Sequence, residues 1–314
     1  MEFRTFRIKP TGMALLAGFG LWSVYLTAAP KFLDWSPPIN LGPVVNSGAE
    51  DFAPHTSKDG LTLYFASTRP GGFGGEDLWI SKRASKDGPW NPPVNLGTII
   101  NTDANERSPA LSLDGRHLFF ATTRGGGSGG FDIWVSWRHD TRDDFGWQAP
   151  VNLGTQFNSA ATDAGPSYFD NDDAGIPLLF LASNRLGGAG GLDIYVSDLT
   201  ANGSFGPPIL VKELSAVAND LTPTVRRDGL EIIIASTREG GIGAQDLYVS
   251  TRTAAGDPWL APVNLGPVIN SAFNENFPSL SSDRETLFFS SDRTGGSGGS
   301  DIYMSTRSRR AKPR

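Results

Sequence analysis

Arg69-Pro-Gly-Gly-Phe-Gly-Gly-Glu-Asp77 decides the fold, because the chain carries this stretch five times with small variations. The other copies run from Arg124 to Asp132, Arg185 to Asp193, Arg238 to Asp246 and Arg293 to Asp301. Each sits in a longer unit marked by one aromatic residue, Trp35, Trp90, Trp147, Phe205 or Trp259, and these recur every 54 to 58 residues. A period of that size, built from short strands and turns, signals a propeller or solenoid, since no single unit can bury its own apolar face.

The second unit orders its strands most clearly. Ser108 to Ser112 reads as a strand, Leu113-Asp114-Gly115 as a turn, and His117 to Thr122 as a second strand. The glycine-rich loop from Arg124 to Gly130 follows, then a third strand from Asp132 to Ser136 and a fourth from Trp147 to Leu153. Four antiparallel strands make one blade. The last unit stops after its third strand, at Ser305 to Arg307, while the chain begins with an unattached fourth-strand segment, Trp35 to Gly42. The pattern predicts an all-β, five-bladed β-propeller over residues 34–307, with the N-terminal strand completing the last blade. An open five-unit array would leave unpaired strand edges.

Composition agrees with many short strands and tight turns: 38 Gly, 22 Pro, 11% aromatic and 19% charged residues. Cysteine is absent, which excludes disulfides, thiolate metal sites and lipid attachment through sulfur. Residues 1–29 differ from the rest. Arg4, Arg7 and Lys9 precede an uncharged run from Gly12 to Ala29 that ends in Thr27-Ala28-Ala29, the pattern of a signal peptide or an N-terminal anchor. The expected location is periplasmic or secreted, with membrane contact only through that segment if it is not cleaved. The formal charge of −6 disfavours nucleic acid as a partner. Residues 308–314 read as a basic, solvated tail, with Arg307 at its base and Arg309, Arg310, Lys312 and Arg314 along it.

The Ser-x-Asp-Gly turns, the Leu63 to Ser67 strand, the Arg-x-Gly-Gly-x-Gly-Gly-x-Asp loop and the Asp-Leu-Trp-x-Ser that follows it resemble the TolB-type WD-like propeller repeats. The resemblance spans the chain beyond residue 34 and implies the propeller fold. The chain departs from TolB in having five units and no preceding α/β domain. Members of this family include periplasmic interaction proteins, modules fused to peptidoglycan-binding domains and lone propellers.

Blade grammar places three sets of repeated charges on one face. Asp51, Glu106, Asp163, Asp220 and Glu275 each stand three residues before a proline at the start of an innermost strand, so they should ring the mouth of the central channel. Arg69, Arg124, Arg185, Arg238 and Arg293 open the glycine-rich loops, and Asp77, Asp132, Asp193, Asp246 and Asp301 close them. One reading makes the ring an anionic site for a cation or a basic peptide group. The other makes each acid the partner of an Arg and each loop Asp a cap for backbone amides, as repetition in every blade suggests. Either way two acids and one Arg per blade predict an electronegative face.

A phosphate-binding loop needs glycine between a strand and a helix, and these loops join two strands. Calcium remains open as a cofactor at a loop, since hard cations take clustered oxygens; otherwise no cofactor is expected. The aromatics that mark each unit, and those two residues after each loop Asp, read as blade packing; the alternative is a surface belt for sugar or peptide stacking. His55, His117 and His139 show no ligand spacing, and no nucleophile with a paired base is evident. Symmetry is broken at Asn171 to Asp173 and at Trp137 to Asp144, both read as surface loop insertions. The expected function is therefore an exported, non-catalytic propeller binding a protein, peptide or cell-envelope component. The alternative is a carbohydrate-active five-bladed propeller, hydrolase-like or lectin-like, and two ring acids could supply the carboxylates of the former.

Overall fold

The computed structural model describes residues 32–170, 176–201 and 203–310. The expected leader at 1–29 and the Asn171 to Asp173 turn lie outside them, as do Lys312 and Arg314.

The described chain forms twenty strands. The first is β1 (Ile39–Asn40). Blade one follows as β2 (Asp51–Thr56), β3 (Thr62–Ser67), β4 (Asp77–Lys82) and β5 (Val94–Asn95). Blade two is β6 (Glu106–Leu111), β7 (His117–Thr122), β8 (Asp132–Trp137) and β9 (Val151–Asn152). Blade three is β10 (Asp163–Phe169), β11 (Leu178–Ser183), β12 (Asp193–Asp198) and β13 (Ile209–Leu210). Blade four is β14 (Asp220–Val225), β15 (Glu231–Ser236), β16 (Asp246–Thr251) and β17 (Val263–Asn264). Blade five comprises β18 (Glu275–Leu280), β19 (Thr286–Ser291) and β20 (Asp301–Thr306), and β1 completes it by pairing Ile39 with Met304 and Asn40 with Tyr303. The ring is closed by that pairing, as the unattached N-terminal segment implied.

Two details depart from the sequence expectation. The innermost strand of blade two starts at Glu106, not Ser108, and the fourth strands are two residues long, because the prolines and glycines flanking them remove ladder donors and turn the chain away. In every blade the innermost strand is also bulged. Ala53, Ser108, Gly165, Thr222 and Phe277 have φ between 44° and 61°, and the ladder register shifts across each of them. Four of these are not glycine, so the surrounding ring holds them in a left-handed conformation that isolated chains avoid.

Blades pack face to face through alternating side chains. Tyr64 and Leu78 of blade one meet Leu118 and Phe120 of blade two in one fully buried cluster with Trp147. Ile233 and Leu247 meet Leu287 and Phe289 in another. The innermost strands contact one another around the ring and line a central channel. Its throat, walled by Pro54, Pro109, Pro166, Pro223 and Pro278, narrows to a cavity of about 30 Å3, room for a water or two.

The first residues of the basic segment, 307–310, are tied to the body. The Arg307 side chain is buried, donates to Glu231 at 2.6 Å and stacks on Phe32 and Trp35 at 4.1 and 4.2 Å, while Arg309 pairs with Glu285 at 3.1 Å. Arg307 and the Leu33 N–H donating to the Ser308 carbonyl hold the two chain ends together, which corrects the solvated reading for Arg307, while Arg309 is exposed.

Candidate functional site

The repeated charges form one motif, built five times. Ladder register sets Asp51 opposite Ser67, and Ser67 opposite Asp77, so three polar groups lie in a row across three strands. Each ring acid is fully buried: Asp51, Glu106, Asp163, Asp220 and Glu275 have 0% exposure. Each is paired with the Arg of its own blade, Asp51 with Arg69, Glu106 with Arg124 at 3.1 Å, Asp163 with Arg185 at 2.5 Å, Asp220 with Arg238 at 2.5 Å and Glu275 with Arg293 at 2.9 Å. Glu106 also accepts from Thr102 N, Thr102 Oγ1 and Thr122 Oγ1 at 2.7 to 2.9 Å. Burial lowers the Arg124 guanidinium from its usual range, and Glu106 opposes that shift.

Each Arg does more than neutralise an acid. Arg124 donates to the Ile100 carbonyl and lies over the Phe120 and Trp134 rings at 5.1 and 5.3 Å. Arg69, Arg185, Arg238 and Arg293 cover Trp79, Tyr195, Tyr248 and Tyr303 in the same way. The loop acids Asp77, Asp132, Asp193, Asp246 and Asp301 are each 1% exposed and fold the glycine-rich loop around themselves. Asp77 accepts from Phe73 N at 2.5 Å, Gly74 N at 3.1 Å and Asn95 Nδ2 at 2.8 Å. Asn40, Asn152 and Asn264 serve Asp301, Asp132 and Asp246 likewise. In blade three Leu210 replaces that Asn, and Asp193 Oδ1 is left buried without a partner. Glycine is needed here for proximity. A Cβ on Gly74 would sit 1.9 Å from the Ala104 carbonyl of the next blade, and Gly298 meets Ala49 at 1.7 Å in the same way.

Ring acids and loop pairs are therefore spent on the fold. Among the described residues no three histidine, aspartate or glutamate side chains converge as metal ligands would. The unit-marking aromatics are covered too: Arg83, Arg138, Arg252 and Arg307 stack on Trp90, Trp147, Trp259 and Trp35 at 4.0 to 4.4 Å, so they make no free belt. In the Trp137 to Asp144 segment Arg138 is buried against Trp147, and Arg142 pairs with Asp140 at the surface.

What distinguishes one blade from another lies one residue after each ring acid. Phe52, Arg107, Ala164, Leu221 and Asn276 occupy that position, all different. Three of them, with Glu50, Glu76, Gln245, Asn274, Phe277, Ser290 and Asp292, line a cup of about 320 Å3 at the channel mouth on the glycine-loop face. Small-molecule sites occupy roughly 300–1,000 Å3. Glu76 Oε2 accepts from Arg107 Nε at 2.6 Å, and its other oxygen takes Nη2. Arg107 is held flat between Phe131, 4.3 Å from its guanidinium carbon, and Phe52, 5.7 Å away. Phe52 and Phe277 meet at 5.3 Å. Asp292 accepts from Asn274 N at 2.7 Å and Nδ2 at 2.8 Å. Among the described residues the Glu50 carboxylate, the Gln245 carboxamide, Asn276 Nδ2 and Arg107 Nη1 have no hydrogen-bond partner in the protein. Sequence reasoning passed over this cup because it searched for repeated groups. The signal was the one inner-strand position that does not repeat.

No protein-family model matches the chain, and no curated protein matches it. Solved structures do match in shape. The α-L-arabinofuranosidase of Podospora anserina in complex with cellotriose aligns over 89% of this chain and 98% of its own, with TM-score 0.56 and 12% identity. The α-L-arabinofuranosidase from Lactobacillus brevis aligns over 85% and 92%, with TM-score 0.58 and 14% identity. A putative TolB from Agrobacterium tumefaciens aligns over 83% and 79% at 17% identity, but its TM-score of 0.49 carries no argument. Others are family-43 and family-62 hydrolases and a xylosidase. At these identities the likeness shows the five-bladed fold. Glycoside hydrolases predominate among these neighbours, which runs against the expectation of a non-catalytic propeller for a protein, peptide or envelope component. The acid ring offers no site for a basic group, since it is buried and paired with its own arginines.

Proposed function

We propose that this chain is a carbohydrate-active five-bladed propeller whose glycan site is the cup at the channel mouth. The observation that carries the reading is the contrast between the spent repeat motif and the cup. In the cup, unpaired carboxylate, carboxamide and guanidinium atoms stand beside phenylalanine rings. Sugars are matched by that mixture, because planar polar side chains share hydrogen bonds with vicinal hydroxyls while an aromatic face covers the apolar C–H face of the ring. Neighbours of like fold that are named as arabinofuranosidases and a xylosidase make pentose glycans the first class to assay. Glycoside cleavage needs two carboxylates flanking the bond, one able to donate a proton. Glu76, with both oxygens on Arg107, is unsuited to that donation; Glu50 and Asp292 are the carboxylates left in the cup. The repeat motif keeps its resemblance to TolB-type repeats, and the glycan reading concerns what the mouth has added to that scaffold.

The test combines calorimetric titration with xylo- and arabino-oligosaccharides and an assay of sugar release. The expected result is binding that Arg107→Ala or Phe277→Ala abolishes. Oligosaccharide binding untouched by both variants would overturn the placement, and no binding or release across the panel would overturn the reading.

A further inference from the structure

The charges of the cup bear on which sugar it takes. Among its lining residues three carboxylates, Glu50, Glu76 and Asp292, face one guanidinium, Arg107. Glu76 and Arg107 satisfy each other. Glu50 and Asp292 are exposed and have no cationic partner among the described residues. Asp292 is held in place through both oxygens by Asn274, and Glu50 packs against Gly299, where an added Cβ would lie 3.3 Å from its Cγ.

A second feature is independent of these acids. The rings of Phe52 and Phe277 meet at 5.3 Å with an interplanar angle of 43°, forming a corner in which buried Phe52 is covered by the Arg107 guanidinium and half-buried Phe277 presents the open face. Aromatic faces attract cations through the ring quadrupole, most strongly where water is partly excluded. An aromatic corner with two uncompensated carboxylates complements a ligand that is hydroxylated and also positively charged, whereas a uronate or sulfated sugar would meet like charge on entry. We infer that the channel mouth selects a glycan bearing a free ammonium group, an amino sugar, with Glu50 and Asp292 holding the ammonium and Arg107 with Asn276 serving the hydroxyls. This rests on the glycan reading above and narrows it to a substrate class.

The experiment titrates the full chain with β-1,4-linked glucosamine oligomers, with their N-acetylated counterparts and with xylo-oligosaccharides, at about pH 6, below the titration of a free amine. Acetylation keeps ring and linkage and removes the charge. The expected result is about tenfold tighter binding of the free amine, a preference that shrinks with added salt. It should vanish in the double variant Glu50→Gln, Asp292→Asn, in which the free-amine and N-acetylated oligomers bind with equal affinity. Equal affinity for the two glucosamine forms, or binding of xylo-oligosaccharides alone, overturns the inference and leaves the glycan reading standing. A preference that survives in the double variant overturns the assignment to these two carboxylates. Binding of no sugar at all removes the glycan reading and the inference together.

Discussion

Arg124→Ala removes one cation from a blade whose partner acid has nowhere to go. Glu106 has 0% exposure, and its Oε1 receives the Arg124 guanidinium at 3.1 Å. Breaking a buried pair by deleting one partner costs roughly 3–5 kcal/mol, because the remaining charge stays desolvated. Three further hydrogen bonds from Thr102 and Thr122 still serve Glu106, which places the loss at the low end of that range. Arg124 also donates to the Ile100 carbonyl and covers Phe120 and Trp134, contributions of about 1 kcal/mol. The sum is about 3–4 kcal/mol, read as a lowered denaturation midpoint in urea at unchanged slope. Adding Glu106→Gln should return part of the loss, because the carboxamide removes the stranded charge while keeping an acceptor. A midpoint within about 0.5 kcal/mol of the parent would refute the claim that the repeated Arg and acid are structural.

Other expectations follow from single features. Gly74→Ala should destabilise by about 3 kcal/mol, since its Cβ would meet the Ala104 carbonyl at 1.9 Å, while Gly125→Ala, with nothing within 4 Å, should be near neutral; thermal unfolding of the pair checks this. Asn95→Leu puts the blade-three residue into blade one and takes from Asp77 its Asn donor; a loss of about 2 kcal/mol is expected, and a neutral outcome would show that buried loop aspartates tolerate a missing donor. His55 lines the channel, its Nε2 accepts the Leu111 N–H at 3.1 Å, and burial lowers its pKa from 6.5 to about 4. The neutral form is favoured by folding, so this contribution is fully present above pH 6.5 and is lost as pH falls through 4, by roughly 2–3 kcal/mol. His55→Gln should flatten stability between those pH values, and an unchanged pH profile would contradict the assignment.

Fold was legible because repetition is a physical requirement of the architecture. Five Arg-to-Asp loops and an orphan outer-strand segment, Trp35 to Gly42, leave a closed ring as the arrangement that pairs every blade. Short-range signals were less complete. The bulge at Ala53, Ser108, Gly165, Thr222 and Phe277 did carry a signature, since each of these residues precedes the repeated proline of its innermost strand and a proline inside a strand marks a bulge. Arg307 looked like part of a basic tail because its partner Glu231 lies in another blade. The site was the least legible part. Repeated charges drew attention to the acid ring, yet repetition there serves stability, and the cup depends on the unlike residues Phe52, Arg107 and Asn276 brought together from three blades. That juxtaposition joins blades one, two and five, so no single blade shows it.

Stoichiometry tests the central claim most directly. Repeated motifs would give up to five equivalent sites, whereas the cup exists once per chain. Isothermal titration with the tightest glycan of the panel should give one site per chain, with the signal abolished by Arg107→Ala and retained in Asn95→Leu, which alters a repeated loop. Several equivalent sites per chain, or one site that survives Arg107→Ala, would contradict it.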